Sequence, residues 1–182
     1  MNSFTVALSI AVLSTASLVQ ASSLDVNLRD EAVELSASGP LNLSGLNLTL
    51  SGLHHERDRD LISLGVSVTE TLSEESFVGL GGKVFAVDLH HADGSGLAIG
   101  GFFRYAFPSI SGLGFGGGLY FSPDVTSFGD VDNYIEAALR VEYQIMTTAN
   151  IYVGYRYIDV NLQGSNEGRL DQGAHLGLRL EY

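Results

Sequence analysis

The chain has 182 residues, a net charge of −12 and no cysteine, and Lys83 is its single lysine. Nine Lys and Arg against 21 Asp and Glu argue against nucleic acid or any other polyanion as partner, because phosphate contacts need clustered cations. Without cysteine there is no disulfide framework, so an exported domain must be held by hydrogen bonds and packing.

Residues Phe4 to Val19 carry no charged side chain, and Val19-Gln20-Ala21 supplies the small-residue pattern of a signal-peptidase site. The run is too short and too interrupted by Ser and Thr for a spanning helix of about 20 apolar residues. Residues 1–21 therefore read as a cleaved secretory signal. The mature chain of about 160 residues fits one domain. Twenty-two glycines, three prolines and scattered aromatic residues point to many strands and turns.

In the segment 22–40, Leu24, Val26 and Leu28 alternate with polar residues, and so do positions 32–36, but the parity breaks at Arg29-Asp30-Glu31. The segment reads either as a periplasmic extension or as a tight extra hairpin, with the barrel domain assigned to 41–182. From residue 45 onward eight segments show the period of two that a strand imposes. They are 45–53, 61–70, 77–89, 97–107, 113–121, a sixth around 135–145, 151–160 and the terminal run from His175. In the sixth, Ile135, Ala137, Leu139, Val141, Tyr143 and Ile145 share one face, a set that a helix would scatter. In the last, Leu176, Leu178, Leu180 and Tyr182 oppose His175, Gly177, Arg179 and Glu181.

Strands apolar on one side and polar on the other suit a transmembrane β-barrel, with lipid outside and a polar lumen within. Short turns at 73–76, 108–112 and 146–150 alternate with longer polar loops at 54–60, 90–96, 122–133 and 163–169. Outer-membrane barrels have that alternation, the short turns being periplasmic. The expectation is thus an all-β, antiparallel transmembrane barrel of eight strands, with ten as the alternative. Strict alternation through 77–87 would put Lys83 toward lipid, at a cost of roughly 2–4 kcal/mol, so a bulge at Gly81-Gly82 is expected to turn it inward.

Arg104, Glu136, Arg140, Glu142, Arg156, Arg179 and Glu181 fall on inward positions, with His175 beside them, and are expected to form an ion-pair network in a filled lumen. Phe107, Phe121, Tyr143, Tyr157 and Tyr182 fall on the outward face as membrane-interface aromatics. No Ser-His-acid arrangement is recognisable, so no catalytic residue and no cofactor are assigned. His54, His55, His90, His91 and Asp93 have the ligand chemistry for zinc or copper, provided that neighbouring loops bring them together, whereas Asp124, Asp130 and Asp132 lack the spacing of a dedicated calcium loop. The partners implied are the bilayer and the barrel-assembly machinery, through the aromatic-terminated last strand.

The runs GGKVFAVDL, GGGLYFSPDV, NYIEAALRVEYQI and VGYRYIDV, with the aromatic-terminated last strand, resemble the YfaZ family of small outer-membrane proteins. Tyr120 to Asp124 and Val153 to Ile158 are the most specific parts of a likeness that runs from roughly residue 75 to the end. The resemblance implies an outer-membrane address and a barrel; it brings no activity and no catalytic residues. The role expected is structural or surface-contact, with a narrow solute channel and a lipid-directed enzyme as alternatives.

Overall fold

The structure, a computed structural model, describes residues 22–41, 45–56, 59–89, 92–162 and 169–182. The signal peptide expected at 1–21 lies outside them. The strands are β1 (Ser23–Leu28), β2 (Ala32–Pro40), β3 (Leu46–His55), β4 (Arg59–Ser73), β5 (Ser76–Leu89), β6 (Ala92–Ala106), β7 (Leu113–Ser122), β8 (Ser127–Gly129), β9 (Val131–Met146), β10 (Ala149–Leu162) and β11 (Arg169–Glu181). All pairings are antiparallel. Ten strands follow one another around a ring, β5-β4-β3-β2-β1-β11-β10-β9-β7-β6, and the β5–β6 pairing closes it.

The expected eight strands are thereby corrected to ten. The difference lies wholly in residues 22–40, where β1 and β2 form a hairpin, and β1 closes the ring against β11. The parity break at Arg29-Asp30-Glu31 is the turn of that hairpin, where Arg29 N–H donates to the Ala32 carbonyl at 2.9 Å. An even strand number leaves Ser22 and Tyr182 at the same end of the barrel, joined by a 3.1 Å hydrogen bond from Tyr182 N–H to the Ser22 carbonyl.

Strands also run farther than the period of two indicated. β3 and β4 pair out to His55 and Arg59, and β5 and β6 out to Leu89 and Ala92, so most of the loops expected at 54–60 and 90–96 is ladder. About 9–11 tilted residues cross a bilayer; β4 has 15 and β9 has 16. The surplus carries polar residues on the outward face beyond the apolar band, as Asp60 does above Ile62, Leu64, Val66 and Val68. The outward band itself is fully apolar at its middle, with Leu80 72% and Ile99 71% exposed.

β7 stops at Ser122, and a 3-10 turn, Asp124–Thr126, intervenes before β8 takes its place beside β6 at Gly94–Gly96. β8 therefore continues the line of β7 without belonging to the ring. Ser122 hydroxyl, within 3.1 Å of both Thr126 and Ser127 hydroxyls, ties the insertion down.

Lys83 faces the lumen, but not through a bulge. The β4–β5 and β5–β6 registers are continuous through Gly81 and Gly82. Instead the whole of β5 has the opposite parity from the expected one: Phe77, Gly79, Lys83, Phe85 and Val87 point inward, while Val78, Leu80 and Val84 point to lipid. Both faces of β5 carry apolar residues, and those inside pack rather than meet lipid.

Glycine is what makes room for the inward rings. Cross-strand partners on the inner face pair an aromatic ring or imidazole with a glycine: Phe102 with Gly79, Tyr120 with Gly100, Phe85 with Gly96, Tyr152 with Gly177 and His175 with Gly154. In each pair a Cβ on the glycine would collide with the partner's ring. The rings lie over bare backbone, shielding it and closing the gap left in a curved wall.

Gly177→Ala is expected to lower stability by about 1–3 kcal/mol, because the new methyl must displace the Tyr152 ring. Gly82→Ala is the control, since its Cβ would meet only the Ala98 carbonyl, at 3.5 Å. Urea unfolding of the refolded barrel in vesicles reads both; equal midpoints would refute the packing account.

Candidate functional site

The lumen divides into two tiers. Toward the end opposite the described termini it is dry. Leu53, Leu61, Phe85, Val87, Ala98, Val131, Tyr134, Ile158, Val160 and Leu170 form one buried cluster, none more than 5% exposed. They come from β3, β4, β5, β6, β9, β10 and β11, so the cluster spans the bore from wall to wall. Phe85 and Tyr134 stack across it with ring centroids 4.2 Å apart. Arg59 lies over the same end and donates from Nη1 to the Arg169 carbonyl at 2.6 Å.

Beneath this plug lie buried ion pairs. Arg156 donates from Nε to Asp171 at 2.8 Å and reaches Glu34 with Nη1, while Arg29 meets the other Asp171 oxygen. Asp171 is 1% and Arg156 4% exposed. Lys83 pairs with Glu136, which also accepts from Tyr134 hydroxyl, and the Lys83 ammonium sits 4.6 Å from the Tyr120 ring centroid. A second cluster lies nearer the termini. Asp25 accepts from Arg179 Nε at 2.9 Å and from Tyr152 hydroxyl, with Arg140 Nη1 at 3.7 Å. Glu142 accepts from Arg104 Nε and lies 3.5 Å from Arg140 Nε.

The second tier opens as a polar cup of about 800 Å³. Its mouth holds Ser22, Ser23, Thr148, Glu181 and Tyr182, which places the opening at the end bearing the described termini. One wall, from β1 to β4, is hydroxyl-rich: Ser23 faces Ser38 at 2.8 Å and Ser51 faces Ser63 at 2.7 Å. The other wall carries the arginines and the rings of Phe102, Tyr120 and Tyr152. Asn27 Oδ1 and His175 Nδ1, both on side chains 6% exposed, have no hydrogen-bond partner among the described residues.

All seven residues expected in the lumen network line the barrel interior. Arg104 and Arg140 both meet Glu142, but Glu136, Arg156 and Arg179 find partners outside that set, Lys83, Asp171 with Glu34, and Asp25, and Arg140 also reaches Asp25. Glu181 stands at the mouth, in no ion pair among the described residues. The missed partners Asp25 and Glu34 were legible in the alternation of 23–28 and 33–38; Asp171 sits where a loop was expected to end.

Of the aromatic set, Phe107, Tyr143 and Tyr182 are exposed toward the end with the termini and Phe121 toward the other. Tyr157 is half-buried, with the Arg169 guanidinium 5.8 Å from its ring. His54 and His55 are successive residues of β3 and point to opposite faces. His54 Nδ1 lies 2.6 Å from Asp60 Oδ1, whereas His55 is buried, 3.8 Å from Glu31 Oε2. They do not converge on one ion. Asp93 begins β6, and His90 and His91 lie outside the described residues. Among the described residues no three His, Asp or Glu side chains gather as a metal would require.

A family model described as "YfaZ precursor" matches residues 1–182, the whole chain. "Outer membrane protein YfaZ" of Escherichia coli (strain K12) is 27% identical over 141 residues, 76% of each chain. Among solved structures, a KdgM porin superposes with a TM-score of 0.50 at 10% identity, covering 88% of this chain and 98% of that one. At such identity the likeness is one of fold.

Asp171→Asn is expected to destabilise the barrel by about 3–5 kcal/mol, because it leaves Arg156 and Arg29 short of a carboxylate in the interior. Glu181→Gln at the mouth should be near neutral. Urea midpoints of the two variants decide it, and a smaller loss for Asp171→Asn than for Glu181→Gln would refute the assigned pairing.

Proposed function

The chain belongs to the YfaZ family and is an outer-membrane β-barrel, and from that premise we propose that it works as a sealed barrel with a cup facing the periplasm. The outer end is closed by the apolar plug. The observation that carries this is the wall-to-wall cluster around Phe85 and Tyr134, whose members are 0–5% exposed. Water and ions have no route through a bore filled by Leu, Ile, Val and Phe, since an ion there would shed its hydration without replacement.

The orientation rests on both described termini lying at one end, as strand parity requires, and on the periplasmic placement of short turns in such barrels. Glu74-Glu75 and Thr147-Thr148 are two-residue turns at that end. The role is read as structural and non-enzymatic: Ser51 and Ser63 face each other rather than a histidine and carboxylate. The strand offered to the assembly machinery is β11, through its outward Leu176, Leu178 and Leu180, with Tyr182 directly after it.

A second reading, a narrow solute channel, draws on the cup and on the fold shared with the KdgM porin. It requires the plug to move. Planar-bilayer recording separates the two. The sealed reading expects no sustained conductance from the wild-type protein, and ohmic conductance from a Phe85→Ala, Tyr134→Ala double variant that still shows heat-modifiable gel mobility. Steady conductance through the wild type would establish the channel reading instead.

A further inference from the structure

The cup combines features that a filled structural interior does not need. Inside the mouth its charges are paired: Arg29, Lys83, Arg104, Arg140, Arg156 and Arg179 each meet one or more of Asp25, Glu34, Glu136, Glu142 and Asp171, and among the described residues only Glu181, at the mouth itself, lines the cup outside any ion pair. An incoming ion would have to break a pair already made, so the interior selects against net charge. What it offers is uncharged polarity. Serine hydroxyls line one wall, with Ser36 and Ser67 beside the two hydrogen-bonded serine pairs. Opposite them the Phe102 ring borders the cavity, an apolar plate in a polar room.

Deeper in stand two of the three buried unsatisfied side-chain atoms found among the described residues, Asn27 Oδ1 and His175 Nδ1; the third, Asn150 Oδ1, does not line the cup. An unpartnered polar atom costs about 1–3 kcal/mol when left buried. The two lie close together on the inner wall, because Asn27 is in register with Gly177, two residues along β11 from His175. Both line the same cavity. Hydroxyls aligned on one side, an aromatic plate on the other and unpaired acceptor and imidazole atoms between them describe a site for a ring that carries several O–H groups on its edge and C–H groups on its face. The cavity volume of about 800 Å³ lies within the roughly 300–1,000 Å³ usual for small-molecule sites.

We propose that the cup is a binding site for an uncharged, polyhydroxylated ring compound, a neutral saccharide of one or two units, entering from the mouth between Ser23 and Thr148. The sugar O–H groups satisfy Asn27 Oδ1 and His175 Nδ1, and the Phe102 ring packs against the sugar face. That the mouth opens to the periplasm rests on the sealed-barrel reading; the site itself does not.

The test uses protein extracted from outer membranes in a detergent without a sugar headgroup. Glucose, maltose and, as the charged arm, glucuronate are titrated by calorimetry and by saturation-transfer NMR. The expected result is saturable binding of glucose or maltose, weaker for glucuronate, with affinity reduced about tenfold in Asn27→Ala, the worth of one hydrogen bond to a buried partner. Phe102→Ala should reduce it as well, and the saturation-transfer signal should fall on ring C–H groups in the wild type. Both variants are first shown to keep heat-modifiable mobility, and His175→Gln serves in place of either that does not. Absence of saturable binding, tighter binding of glucuronate than of glucose, or unchanged affinity in the folded variants would overturn the proposal. None of these outcomes depends on conductance, so the site and the seal fail separately.

Discussion

Six register pairs between β1 and β11, from Ser23 with Glu181 to Leu28 with Leu176, turn an open sheet into a ring. In lipid there is no water to satisfy a free strand edge, and only closure removes it. This seam also composes the lumen. It sets Asp25 opposite Arg179 and Asn27 opposite Gly177, so a one-residue slip would send Asp25 to the lipid face and Leu24 into the cup. The strand that completes the backbone ladder is thus the one that supplies the carboxylate around which Arg140, Arg179 and Tyr152 gather. Register, polarity and cup chemistry all stem from one pairing.

Ten strands enclose more space than eight, and the chain fills the extra room unevenly. Apolar inward residues cluster where the strands extend past the membrane band, and polar ones occupy the rest. Between the two tiers, rings set over glycines thicken the wall where the backbone is bare. Tyr134 belongs to both tiers: its ring stacks on Phe85 in the plug while its hydroxyl meets Glu136 in the ion layer. The plug keeps water from the pairs beneath it on one side. The pairs in turn let a dry cluster sit directly on a wet cavity, because each charge is neutralised at its own depth.

Much of this is legible in the sequence from residue 45 onward. The faces of β3, β4, β6, β7, β9, β10 and β11 obey the alternation, since lipid on one side and polar groups on the other give each strand a clean period of two. β5 misleads because its two faces differ little: Phe77, Phe85 and Val87 inside are as apolar as Val78, Leu80 and Val84 outside, and the glycines between carry no signal. The first hairpin is ambiguous for another reason. At six residues, β1 is shorter than a typical spanning strand, and only its pairing with β11 shows that it belongs to the ring. The plug is invisible in the sequence because its members sit near strand ends, in or next to stretches that read as polar loops; Leu53 precedes two histidines and Leu170 comes after Arg169. Partners inside the barrel are beyond reach of pattern alone. Alternation tells which face a residue is on, and not which of nine other strands it will meet.

The coexistence of plug and cup sets a limit on what the barrel can do unaided. Each large apolar side chain of the plug is worth about 1.5–3 kcal/mol when removed from water. A continuous water path past Phe85 and Tyr134 must hydrate both and at least one neighbour such as Leu53 or Leu170, at a cost of roughly 5–9 kcal/mol. An excursion of that size leaves the open state at about one part in five thousand or less. The cup, by contrast, needs no movement to be reached from its mouth. A solute can therefore enter, be held and leave on the same side at little conformational cost, whereas passage through the barrel requires some other interaction that favours the open plug by several kcal/mol. On the reading proposed above, the resting structure holds a solute, and conduction would need a partner that changes it.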